Sequence, residues 1–136
     1  MGNQYNLLTM SRDSQLLNAR PTLPIENNSA LPEEQFHNQV LRPILKLQNE
    51  LLLAVFKNYL ADKSINFERQ TPFQQRVTIE NAIKKDLPIR HTLMGCIMGL
   101  LTKEEYEVFL ANRLAYNKRL TTLIIQRLTD QLVTSH

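Results

Sequence analysis

Apolar residues recur at helical spacing over residues 102–133, and this pattern predicts one long amphipathic helix. The segment begins with the signature of a capping box, formed by Thr102 and Glu105. At about 100° per residue, the apolar positions fall within one arc of the helix. They are Tyr106, Phe109, Leu110, Leu114, Leu120, Leu123, Ile124, Leu128 and Leu132. Arg113 and Asn117 fall in the middle of this arc, so the apolar stripe is interrupted by two polar residues.

A second long amphipathic helix is predicted to begin at Pro32, where a first-turn proline precedes Glu33 and Glu34. One apolar row comprises Phe36, Val40, Ile44, Leu47, Leu51 and Val55, and a second comprises Leu41, Leu45, Leu52, Phe56 and Tyr59. Because proline lacks a backbone donor, we expect Pro43 to kink this helix or to split it near Leu41. The apolar face is wider than one contact requires, so the helix is either central or partly in contact with another chain.

Two shorter helices are predicted between these segments. Thr71 and Pro72 have the order of a cap and a first-turn proline, and Pro88 begins the next helix. No segment shows the alternation of a strand, and no Asn-Gly or Asp-Gly turn is present. The chain therefore predicts an all-α bundle of about four principal helices, with a long C-terminal helix.

Residues 1–30 differ from the rest of the chain, since they hold five asparagines and two prolines but only short apolar pairs. This composition predicts an extended or weakly ordered N-terminal arm, followed by a helical bundle domain over residues 31–136. Within the arm, residues 11–19 could form a short helix. Whether the arm packs on its own domain or on a neighbouring subunit is left open by the sequence.

The overall composition is that of an ordinary globular protein, with 43% hydrophobic and 21% charged residues in 136. The net charge of +3 is too small to predict a nucleic-acid partner, and the basic residues of the C-terminal helix are spread around its axis. Neither a signal peptide nor an apolar run of membrane-spanning length is recognisable. We therefore expect a cytoplasmic protein without a membrane or nucleic-acid partner.

Signals for catalysis or metal binding are weak. Glu34 and His37 have the spacing of half a di-iron site, but no second Glu-x-x-His accompanies them. Cys96 lies between Gly95 and Gly99 in an apolar helix, which predicts a buried, inert thiol and permits close helix approach at the glycines. Without a nucleophile–base pair or a ligand set, we expect no metal and no cofactor, and the sequence gives little support to catalysis.

Arg113 and Asn117 allow two interpretations. In the first, the aliphatic stem of Arg113 lies along the core edge and its guanidinium reaches water. Asn117 then hydrogen-bonds the backbone of a neighbouring helix or fixes the register of packing. In the second, both line a polar pocket together with His37 and Gln48, which also fall on an apolar helix side. Four polar groups converging between helices would bind a small molecule, with Arg113 pairing with a carboxylate or an anionic ligand.

Three segments carry a resemblance to a known family: residues 41–52, residues 83–87 and residues 102–106. They resemble a family of small, uncharacterised, all-helical bacterial proteins, some members of which carry the label glyoxalase. The likeness covers about residues 33–132 and excludes the arm. The resemblance implies an all-α fold. Glyoxalase chemistry requires metal ligands that this chain lacks, so that activity is only a minor alternative.

Two functional hypotheses follow. The first is a small helical protein that acts through protein–protein contact or self-association, with a homodimer as the simplest assembly. The second is a small-molecule binding or enzymatic bundle with its site around Arg113 and Asn117.

Overall fold

The computed structural model describes residues 10–23 and 31–134. Its helices are α1 (Arg12–Ala19), α2 (Pro32–Phe36), α3 (Arg42–Asp62), α4 (Pro72–Lys85), α5 (Leu87–Met98), α6 (Lys103–Ala111) and α7 (Arg113–Leu132). A π-helical turn, His37–Leu41, joins α2 to α3, and a 3-10 turn, Phe67–Arg69, precedes α4. No strand occurs in the described ranges, so the all-α prediction is confirmed.

Helices α3, α4, α5 and α7 are the principal ones, with 21, 14, 12 and 20 residues respectively. The last of these is the predicted long C-terminal helix. None of the helices in the described ranges is both long and apolar enough to cross a membrane.

Two helices begin at capping boxes that the sequence signals. At α4, the Gln74 amide N–H donates to Thr71 Oγ1 over 3.1 Å, and the Thr71 N–H donates to Gln74 Oε1 over 2.9 Å. At α6, the same pair of hydrogen bonds joins Thr102 and Glu105, at 3.1 and 2.8 Å. These local bonds satisfy backbone donors that have no partner within the helix, which explains why both starts were predictable.

Helix α5 lies at the centre of the bundle, packed against α3, α4 and α7. It buries Ile89, Leu93, Met94 and Ile97. The surrounding helices contribute apolar side chains to the same core, chiefly Phe56, Ile79, Ile83, Leu120 and Ile124. Most of the driving force for folding therefore comes from apolar burial around α5.

The π-helical turn is the first of two interruptions in the helical pattern. In this turn the backbone N–H of Arg42 donates to the carbonyl of His37, one residue further back than in an α-helix. The turn ends at Leu41, two residues ahead of Pro43, which has no backbone N–H to donate. The irregularity predicted near Leu41 is therefore a π-helical turn. The backbone stays helical through Leu41 and Arg42, so the prediction of a split there is wrong.

The two apolar rows of this helix are buried to different extents along α3. Leu45, Leu52 and Phe56 are buried, whereas Leu47 and Leu51 of the other predicted row are exposed. The wide apolar face expected from the sequence is therefore only partly covered by the described residues.

Asn112 is the second interruption. Its backbone, with φ of −140° and ψ of 54°, is not helical, and it separates α6 from α7. The prediction of one continuous helix over residues 102–133 is therefore wrong. The break interrupts the constant angle per residue that the straight-helix pattern assumes. Tyr106, Leu110 and Leu114 are exposed, although that pattern had them in the stripe.

Tyr116 takes a core position that the straight-helix pattern did not indicate. Its ring centroid lies 4.6 Å from that of Phe36 and 5.7 Å from that of Phe109. These three aromatic rings join α2, α6 and α7, and such pairs add to the stabilisation from burial alone.

The described part of the N-terminal arm packs on its own domain. Ser11 caps α1 by accepting from the Ser14 N–H over 3.2 Å, which confirms the short helix predicted for residues 11–19. Helix α1 buries no residue, so polar contacts attach it. The predictions of an extended or weakly ordered arm for residues 1–9 and 24–30 lie outside the described residues.

The attachment uses the turn between α5 and α6. Arg12 donates to the carbonyls of Gly99 and Leu101 at 2.9 and 3.0 Å, while Arg20 donates to the Leu100 carbonyl at 3.1 Å. Cations thus meet the carbonyls that follow α5, where the helix dipole favours positive charge.

The start of α6 receives the opposite charge. Asp13 accepts from the Lys103 backbone N–H at 3.2 Å, and Glu105, already in the capping box, accepts from both terminal nitrogens of Arg20. The arm therefore completes the termini of two helices.

Candidate docking groove beside Arg113

The structure divides the four polar residues singled out in the sequence between separate surroundings. Arg113 and Asn117 line a groove between α5 and the α6–α7 segment. His37 lines a different pocket, against the C-terminal half of α7. Gln48 donates from Nε2 to the carbonyl of Cys96 over 2.8 Å, so its side chain hydrogen-bonds the backbone of α5. The four residues do not line one common pocket.

We call the first of these surfaces the α5–α7 groove. It has a volume of about 460 Å³ and is lined by side chains of three helices. The lining residues are Arg90, His91, Met94, Gly95, Met98, Tyr106, Phe109, Leu110, Arg113 and Asn117.

The floor and one wall of the groove are apolar. Met94 and Met98 come from α5, and Phe109 comes from α6. Met94 and Phe109 are buried, and Met98 is half-buried. Tyr106 and Leu110, on the other wall, are 42% and 44% exposed. Adjacent to this wall, Leu114 is 85% exposed. Large apolar side chains grouped at a concave surface are typical of binding sites rather than of ordinary protein surface.

Gly95 opens the floor of the groove. A Cβ atom built on this residue would meet no atom within 4 Å. The close helix approach that the glycines permit does not occur at Gly95, which has open space beside it. The small residue instead leaves open space between Met94 and Met98 on one side and α6 on the other.

The rim of the groove is basic. Arg90, His91 and Arg113 line it, and its lining includes no Asp or Glu. The Nε atom of Arg90 is buried and has no hydrogen-bond partner among the described residues. A buried donor without a partner costs free energy, so a carboxylate that reached Arg90 would be stabilised there.

Metal binding and a reactive cysteine are the two chemistries for which the sequence offered candidates. Within residues 10–23 and 31–134, no three His, Cys, Asp or Glu side chains are grouped so that they could hold a metal. Cys96 is half-buried, and burial raises the pKa of its thiol, which lowers the fraction of reactive thiolate.

Sequence reasoning identified Arg113 and Asn117 but missed the methionines that face them. Arg90, Met94 and Met98 follow at intervals of four residues and so share one face of α5. That spacing was visible in the sequence. What was not visible is the break at Asn112, which exposes the opposite wall.

Fold and groove together define an all-α bundle with a solvent-open apolar groove and a basic rim. Comparison with protein-family models, curated proteins and solved structures finds no match to this chain. Inference about function therefore depends on the chemistry of the groove.

Proposed function

We propose that this protein is a docking module, and that its α5–α7 groove binds an amphipathic helix of a partner protein with carboxylates beside its apolar face. The observation that carries the proposal is the combination of exposed apolar side chains with a rim of arginines and no acidic residue. Apolar floors supply affinity, and charged rims select partners and speed their association.

A helical partner suits the shape of the groove. Amphipathic helices bind in hydrophobic grooves through side chains at successive helical turns, and a groove bounded by helices has matching spacing. Met98, which is half-buried, favours this mode, because the flexible thioether adapts to partners of different shape. Tyr106 and Arg113 belong to the residue types that contribute most to binding energy at interfaces.

An acidic partner suits the charge of the groove. Arg113 is exposed and Arg90 is partly exposed, and neither side chain forms an ion pair with a described residue. Burial of these guanidinium groups beneath an apolar helix without carboxylates would cost free energy. A second copy of this chain is the competing occupant, although its own net charge of +3 opposes binding to a basic rim.

The test uses two fluorescein-labelled amphipathic helical peptides. Both carry leucines on one face, and the other face carries glutamates in one peptide and lysines in its twin. Fluorescence anisotropy should give an affinity at least about tenfold higher for the glutamate peptide. Equal affinities for the two peptides would refute the charge argument.

Variants locate the binding surface. Arg113→Gln should weaken binding of the glutamate peptide about tenfold, since a charge-assisted hydrogen bond is lost. Arg76→Gln removes the same charge from an exposed position on α4 and should leave the affinity unchanged. If both variants bind equally well, the peptide does not use the groove.

Gly95 offers the matched steric pair. Gly95→Trp should abolish binding by filling the floor, whereas Gly95→Ala should preserve it, because one methyl group meets no atom there. Light scattering on the unliganded protein tests the second copy as occupant. If the protein is a dimer and Gly95→Trp dissociates it, the groove binds a second copy of this chain, and the proposal of a partner helix is replaced by self-association.

A further inference from the structure

A second polar surface lies away from the α5–α7 groove. It is the pocket of about 440 Å³ that His37, Arg42 and Arg127 line, between the start of α3 and the C-terminal half of α7. A third arginine, Arg119, places Nη1 3.3 Å from His37 Nδ1. We call the four side chains His37, Arg42, Arg119 and Arg127 the arginine cluster.

The positive charge of the arginine cluster is not matched by ion pairs. None of its three arginines forms one within the part of the chain that the structure describes. Two arginines, Arg42 and Arg127, line the pocket against one acidic residue, Asp130. Outside the lining, Glu34 acts electrostatically on His37, and Glu33 and Arg119 both act on Tyr116. The lining of the pocket therefore holds more guanidinium groups than carboxylates.

The directions in which the pKa values of His37 and Arg127 are shifted agree with this excess of guanidinium groups. Burial lowers the pKa of His37, Arg119 and Arg42 lower it further, and Glu34 opposes them. Burial and Arg42 likewise lower the pKa of Arg127, against the effect of Asp130. Arg42 therefore lies close enough to act on both His37 and Arg127. A bound anion would reduce the repulsion between these groups.

Arg127 is oriented by a network of neutral side chains. Its Nη1 donates to Asn49 Oδ1 over 3.2 Å. Asn49 and Gln131 exchange two hydrogen bonds, of 2.8 and 2.7 Å. A guanidinium that is already oriented loses less entropy when it binds a ligand.

From this geometry we infer that the arginine cluster binds the phosphate group of a small metabolite, as a phosphate monoester or a diphosphate. Arginine is suited to phosphate because its planar donors bind two oxygens at once, and a dianion would offset the excess charge. The pocket also exceeds the size of a phosphate alone, and Leu45, Leu123 and Gln126 line the remaining space. This site is separate from the docking groove and independent of its function.

His37 contributes a donor to this site. Arginine can only donate, so His37 Nδ1 accepts from Arg119 and the neutral ring carries its proton on Nε2. A bound anion would also stabilise the imidazolium form. Phosphate binding should therefore raise the pKa of His37 toward its ordinary value.

The test is an NMR titration of the full chain with pyrophosphate. The ring signals of His37 should shift with saturation, and the pKa of His37 should rise. Sodium chloride at equal ionic strength should not reproduce either effect. If the salt reproduces both, the cluster only attracts diffuse counterions and the proposal is overturned.

Charge-removing variants assign the site. Arg42→Gln and Arg127→Gln should each weaken pyrophosphate binding about tenfold, whereas Arg76→Gln should not change it. Arg42 is exposed, so Arg42→Gln tests the cluster without disturbing the core. Equal affinities in all three variants would overturn the assignment.

A single-stranded oligonucleotide separates a metabolite from a nucleic-acid backbone as the source of phosphate. An oligonucleotide that binds more tightly than pyrophosphate, and whose binding is also weakened about tenfold in Arg42→Gln, would replace the metabolite proposal. Oligonucleotide binding that Arg42→Gln does not change would be nonspecific, and the pyrophosphate result would stand.

Discussion

Arg20 attaches the N-terminal arm to the bundle, and its replacement gives the sharpest test of the packing described above. The side chains of Arg20 and Glu105 are only 9% and 16% exposed. Both terminal nitrogens of Arg20 donate to the Glu105 carboxylate, and one also donates to the Leu100 carbonyl. Arg20→Met keeps the aliphatic stem and removes all three hydrogen bonds.

The expected cost follows from the burial of this pair. Removing one partner of a buried ion pair costs about 3–5 kcal/mol. Two features reduce that figure here. Glu105 keeps its hydrogen bond from the Thr102 N–H, and the variant also removes Arg20 Nε, which is buried without a partner among the described residues. We expect Arg20→Met to lower the free energy of unfolding by about 2–3 kcal/mol.

Urea unfolding followed by circular dichroism measures this loss, and a double-mutant cycle isolates the pair. Glu105→Gln is a suitable second variant because a glutamine completes the capping box of α4, at Gln74. The cycle should give a coupling of about 2 kcal/mol. The exposed Arg12 is the matched control, and Arg12→Met should cost less than about 1 kcal/mol.

The pH dependence has a definite sign. Burial raises the pKa of Glu105, but the hydrogen bonds from Arg20 and Thr102 outweigh burial and hold that pKa below the ordinary value of 4.5. The stability that Glu105 contributes is therefore present above pH 4.5 and is lost as the pH falls through the lowered pKa. The difference between wild type and Arg20→Met should shrink in that range. A coupling below about 0.5 kcal/mol, or a difference that stays constant on acidification, would refute the reasoning.

Three further predictions concern single residues. Gly95→Ala should stabilise the protein by about 0.5–1 kcal/mol in urea unfolding, because alanine favours the helix and its Cβ meets no atom within 4 Å; a loss of stability would contradict the open floor. Cys96 should react with iodoacetamide more slowly than free cysteine at pH 8, since burial raises its pKa; equal rates would contradict this. Arg42→Gln should raise stability by about 0.5 kcal/mol at low salt and by less at high salt, because it relieves repulsion in the arginine cluster; a salt-independent change would count against repulsion.

Local signals in the sequence predicted most helix starts. Thr71 and Thr102 each precede a residue that completes a capping box, and Pro88 begins α5 in its first turn. These features depend only on neighbours within a few residues, so they do not depend on how the rest of the chain packs. The all-α class follows from the same local consistency.

The positions of the site residues were less predictable because they depend on helix direction. Arg113 and Asn117 were identified as polar residues within the apolar stripe of one straight helix, yet that helix is divided at Asn112. A pattern read at a constant angle per residue cannot show where the helix changes direction. For the same reason, His37 and Arg113 were expected in one pocket, although they line separate surfaces.

Both candidate surfaces lie at interruptions of helical geometry, and this placement has a physical reason. A regular helix packed in a bundle turns its apolar face inward, so it leaves few apolar groups and few unpaired cations together at the surface. The break at Asn112 ends α6, and Leu110, two residues before the break, lines the groove together with residues of α5. The π-helical turn likewise contains His37 and ends just before Arg42, and both line the arginine pocket. Since π-helical turns often occur at functional sites, the irregular backbone here agrees with the binding role proposed for His37 and Arg42.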